Sequence, residues 1–89
     1  MNIDAFQWSL RQRASLPVEK LVLMLIAEAA PPEGRWQLDN HYLTSKACAG
    51  IVEISGALDG LVARKLIAME YEGAQTFVRL PTGALATAA

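Results

Sequence analysis

His41 and Cys48 are the side chains best suited to metal binding or nucleophilic chemistry, and the chain holds one His and one Cys. Seven residues apart on a helix, they would sit about 10 Å apart along its axis, too far for a nucleophile–base pair. Two ligands without a third or fourth do not make a zinc site. Asp39 reads as a helix cap rather than a general base. No glycine-rich phosphate loop, Ser-His-Asp arrangement or carboxylate pair is present. The expectation is a non-enzymatic protein with no metal, no cofactor and no small-molecule substrate. A lone cysteine forms no intrachain disulfide, which fits a reducing compartment.

Cations are the other source of chemistry. Arg11, Arg13, Lys20, Arg35, Lys46 and Arg79 are spread along the chain. They are scattered solubilising charges unless the fold gathers several of them, in which case Arg35, Lys46 and Arg79 are candidate nucleic-acid contacts. Arg11 and Arg13, two apart, do not share a helix face. Trp36 and Tyr71 read as core or hairpin packing rather than as base-stacking platforms. Eight Lys and Arg against nine Asp and Glu give a net charge of -1. That balance excludes both a strongly basic nucleic-acid binder and an acidic DNA mimic.

The chain that must position these groups is 89 residues long, 53% hydrophobic and 19% charged, enough for one folded core and no second one. Its longest apolar run, Leu21 to Ala27, ends at Glu28 and is far shorter than the roughly 20 residues of a bilayer span. A secretory leader would carry its apolar stretch nearer the N-terminus behind a basic segment, so a cytoplasmic location is expected.

Ile3, Phe6 and Leu10 recur on one face of a short first helix, with Trp8 off that stripe as an anchor to the body. Ser15 is suited to cap a second helix, with Pro17 in its first turn and Glu19 at its positive end. Val18 to Ala30 is apolar almost all round, as a central buried helix requires, and Pro31-Pro32-Glu33-Gly34 ends it. Arg35 to Leu38 alternates as a short strand, and Asp39 caps a third helix through Ala47 with Tyr42, Leu43 and Ala47 available to face inward. After a turn at Cys48-Ala49-Gly50, a fourth helix runs from about Ile51 to Arg64. Residues 67–72 and 75–80 form a hairpin about Gly73-Ala74. The expected fold is mainly α with a small β-hairpin, a winged helix-turn-helix spanning residues 1–80, with 81–89 a flexible tail.

Phe6-Gln7-Trp8-Ser9-Leu10, then Leu16-Pro17-Val18-Glu19-Lys20-Leu21-Val22-Leu23-Met24-Leu25, resembles the opening of winged helix-turn-helix proteins from phages and other mobile elements. Gly34-Arg35, Asp39 and Leu66-Ile67 fall at matching intervals, so the resemblance covers roughly residues 3 to 72. It implies DNA binding in replication or transcription. The family's turn glycine and basic recognition helix are missing, however. Cys48 stands at the turn with Gly50 two residues on, and 49–63 contains no Lys, Arg, Gln or Asn, only the acids Glu53 and Asp59. From 47 to 78 there are two cations against four anions. The family's DNA-reading residues therefore do not carry over.

At 100° per residue the fourth helix points Ile54, Leu58, Leu61 and Lys65 to one side. Opposite lie Val52, Gly56 and Ala63, flanked by Asp59 and Gly60, a face too small and uncharged for a free solvent surface. It is either a protein interface, to another protein or a second copy, or a surface covered by the first helix. The functional expectation is protein–protein interaction, as a phage-like regulator or an inhibitor of host machinery such as an anti-CRISPR. DNA binding is the alternative.

Overall fold

The computed structural model describes residues 2–14 and 16–85. They form α1 (Ile3–Arg11), α2 (Pro17–Ala29), β1 (Arg35–Gln37), α3 (Asn40–Ala47), α4 (Ile51–Ala63), β2 (Ala68–Glu72), β3 (Gln75–Arg79) and the single turn α5 (Thr82–Leu85). The fold is thus mixed, five helices with a small antiparallel sheet of order β1-β3-β2.

The apolar circumference of α2 organises the helices. Val22, Leu23, Ile26 and Ala27 are fully buried, with α1, α3 and α4 packed around them. Pro17 opens the helix, suited there because its missing N–H needs no partner. The N-cap is Leu16, without a side-chain cap bond, and the cap expected from Ser15 lies outside the described residues.

Polar bonds hold α1 antiparallel to α2 at both ends. Asn2 Oδ1 accepts from Ala5 N, its Nδ2 donates to Pro31 O, and its own N–H donates to Glu28 O. At the other end Lys20 Nζ donates to the carbonyls of Ser9, Leu10 and Gln12, filling acceptors that a helix C-terminus leaves open. These ties, and the large apolar area of Trp8, set which face turns inward. Ala5, Trp8 and Ser9 are buried, whereas the expected stripe is not: Ile3 is 60% and Leu10 49% exposed, and Phe6 only half-buried.

The Asp39 cap forms as the sequence predicts, its carboxylate accepting from Tyr42 N at 3.0 Å. Leu43 is fully buried; Tyr42 and Ala47 pack against the core. Cys48 takes a left-handed conformation at φ 53° to end α3. Gly50 then caps α4, with Glu53 Oε1 accepting from its N–H at 3.1 Å. Trp36 meets Tyr42 edge-on, 5.8 Å between ring centres. In the sheet, Trp36 pairs with Val78 and Met69 with Val78 on the other side, placing both flanking strands on β3.

Ile54, Leu58 and Leu61 form the inner face of α4 as expected, and Lys65 lies beyond the helix, exposed. The helix stops after Ala63, and Leu66 N–H donates to Leu61 O while Lys65 N–H donates to Val62 O. That paired closure needs a left-handed residue, and Lys65 supplies it at φ 61° where glycine is the usual choice. Within the span expected as a tail, Thr82–Leu85 form a helical turn and Ala84 is buried against α1. Residues 86–89 lie outside the described residues.

At Gly60 α4 comes close to Glu19 of α2. A methyl group there would overlap the carboxylate of Glu19, a side chain only 5% exposed. Arg64 Nε lies 3.5 Å from Glu19 Oε1, which is buried without a hydrogen-bond donor among the described residues. Gly56, one turn earlier, has open space around it. The two glycines should therefore respond differently to alanine. Gly56→Ala should raise stability by about 1 kcal/mol through helix propensity. Gly60→Ala should gain less, because the new methyl group must displace the buried Glu19 carboxylate. A double-mutant cycle in denaturant should show that Glu19→Ala restores the gain at Gly60.

Candidate interaction surface

On α4, the side chains opposite the core are open. Val52 is 82% exposed, Gly56, Asp59 and Ala63 are also exposed, and α1 does not cover them, since it packs on α2 and α5. Four of the five residues expected on an interface therefore share an uncovered surface. Gly60 is the exception: it lies a quarter-turn round the helix, seated against Glu19. Its role is close internal packing, with α2 as the neighbour rather than α1.

Three residues absent from the expected set extend this surface. Ile51 (49% exposed) and Val62 (38%) lie beside it, Val62 toward the start of β2. Tyr71, expected to pack in the core or the hairpin, is 75% exposed. It joins Ser55 and Asp59 in lining a cleft of about 260 Å³ between β2 and α4. The helical-wheel positions of Ile51 and Val62 already set them at the edge of the outer face. Tyr71 carries no such signal, because strand alternation places it on the inner sheet face with Met69.

The candidate nucleic-acid contacts are divided by the fold. Antiparallel register brings Arg35 and Arg79 side by side on the outer face of the sheet. The hairpin sets Glu70 and Glu72 on the same face. Arg35 Nε lies 2.9 Å from Glu70 and its terminal nitrogen 2.7 Å from Glu72, with the guanidinium 3.7 Å above the Phe77 ring. Arg79 donates to both oxygens of Glu70. Hydrogen bonds from Arg79 and then Arg35 hold the Glu70 carboxyl below its usual range, and those to Glu70 and Glu72 raise Arg35. Both arginines are thus committed to carboxylates. Lys46, 6.0 Å from the Tyr42 ring, stands on α3 apart from this network.

Lys20 is committed to the end of α1 and Arg64 to Glu19. Arg11 and Arg13 are exposed at and beyond the end of α1. His41 and Cys48 are both exposed. Among the described residues no group of three or more His, Cys, Asp or Glu is arranged to hold a metal ion, and no helix is long and apolar enough to cross a membrane. No family model, curated protein or solved structure matches the chain.

Because the folded Glu70 carboxyl titrates below its unfolded value, its contribution is complete above about pH 5 and is lost as acid protonates it. Thermal melts should therefore show a steeper fall in stability between about pH 5 and pH 3 for the native protein than for Glu70→Gln. Parallel acid profiles would show that the Arg35–Glu70–Arg79 network contributes nothing.

Proposed function

We propose that this protein is a small non-enzymatic winged helix-turn-helix protein that acts by binding another protein through the outer face of α4. The order of elements from α2 to β3, and the pairing of β1 with β3 beside the hairpin, support the winged-helix reading. On that reading α4 stands where the fold presents its recognition helix and the β2–β3 hairpin is the wing. The observation that carries the function is the exposed, nearly uncharged surface of α4. It runs through Val52, Gly56 and Ala63, with Ile51, Val62 and Tyr71 around it.

Major-groove docking fits this surface poorly. Phosphate neutralisation supplies much of DNA affinity, and Arg, Lys, Asn or Gln supply most base contacts. None of these four occurs from 49 to 63, and the wing's Arg79 is paired with Glu70. A second copy fits less well than a different protein, because an isologous pairing would bring Glu53 and Asp59 together from both chains. The partner we infer presents a small or apolar centre with a basic rim. Binding would act by occluding that partner's own surface, as phage-type inhibitors and regulators of host machinery do, anti-CRISPR proteins among them.

Gly56→Arg tests the reading, since open space at Gly56 leaves the fold intact. The variant should melt like the native chain yet fail to recover the partner that the native chain enriches from a lysate of its host; equal recovery would sink the proposal. In a parallel polarisation assay, duplex DNA should not bind at low salt. Binding that weakens by orders of magnitude between about 50 and 200 mM salt would favour the DNA-binding alternative.

A further inference from the structure

Beyond the end of α4 lies a groove of about 580 Å³ formed with the start of β2, the end of β3 and the entry to α5. Pockets for small ligands span about 300–1,000 Å³ and combine an apolar lining with a few placed polar groups. Buried Ile67 and Leu80 form its floor, and Val62 and Pro81 contribute apolar walls. Its ionisable lining is cationic: Lys65 and Arg79, with no acidic side chain among the described lining residues. In a chain of net charge -1, that pairing of an apolar floor with a cationic rim is a local departure.

The two cations are not equivalent. Arg79 is bonded to Glu70, whereas Lys65 has no ion-pair partner among the described residues. Lys65 also occupies the left-handed closing position of α4 at φ 61°, a conformation that costs a side chain about 1 kcal/mol and glycine almost nothing. A residue tolerated there against its backbone preference contributes a charge at the groove mouth.

We propose that this groove binds a small amphipathic carboxylate, its apolar body over Ile67 and Leu80 and its carboxylate on the Lys65 ammonium. Charge complementarity selects the anion, and the apolar floor selects a hydrocarbon body over a compact polar anion such as phosphate. The groove shares Val62 with the outer face of α4, so an occupant abuts that surface, but its binding does not depend on any partner protein.

The test uses the full chain, labelled with ¹⁵N, titrated with sodium decanoate below its micelle concentration, with decan-1-ol as the uncharged chain of equal length. Decanoate should give saturable amide shifts centred on Val62, Lys65, Ile67 and Leu80, and should bind more tightly than decan-1-ol. Lys65→Gly should weaken decanoate about tenfold, the loss of one charge-assisted contact, while leaving decan-1-ol unchanged. The same variant should melt at a higher temperature, so weaker binding would not reflect unfolding. Lys65→Asn, which also tolerates the left-handed conformation, should repeat the loss. Absence of saturable shifts, equal affinity for acid and alcohol, shifts confined to 51–59, or undiminished binding by both variants would each overturn the proposal.

Discussion

Burial of α2 is the constraint on which the rest of the structure depends. A helix apolar on nearly every side is stable only if neighbours cover it, and each fully buried Val, Leu or Ile contributes about 1.5–3 kcal/mol when they do. Val22, Leu23 and Ile26 reach complete burial. Covering them takes α1 along one side and α3 with α4 along others. Because α1 is consumed by α2 and α5, none of it remains to shield the far side of α4. The exposed surface on α4 follows from how the core is closed.

Polar chemistry is distributed to serve that closure. Lys20 projects from α2 onto three carbonyls at the end of α1, and Asn2 fixes the opposite end. Glu19 lies in the close approach between α2 and α4, possible because Gly60 has no side chain, with Arg64 alongside. Arg35 and Arg79 meet Glu70 and Glu72 across the sheet. Four of the eight cations, Lys20, Arg35, Arg64 and Arg79, are thus occupied within the fold, the two candidate phosphate contacts on the sheet among them. This strengthens the electrostatic argument against groove docking, which from sequence rested on the acidity of 49–63.

Much of the helical and strand plan was legible because its signals are local. Asp39 bonds its own third neighbour, Pro17 suits a first turn, Pro31 to Gly34 interrupts any helix, and alternation marks the hairpin. The inward face of α1 was legible only in Trp8, the expected anchor. Its periodic stripe, Ile3-Phe6-Leu10, loses to Trp8 and Ala5 because bonds at the two ends of the helix fix its rotation, and those partners lie in α2 and at Pro31. Thr82 to Leu85 likewise lack a periodic signal, and their helical turn is made by packing of Ala84 on α1.

The candidate surface divides in the same way. The amino-acid sequence by itself determined that α4 carries small and acidic residues opposite its core face and no cation, since helical geometry and composition require nothing further. Only the tertiary structure decided that Val52, Gly56, Asp59 and Ala63 are uncovered while Gly60 receives Glu19, and that Tyr71 stands beside them. The reason is that exposure is a property of neighbours. Which helix lies against which is settled by side chains far apart in the chain, here by what closes over α2.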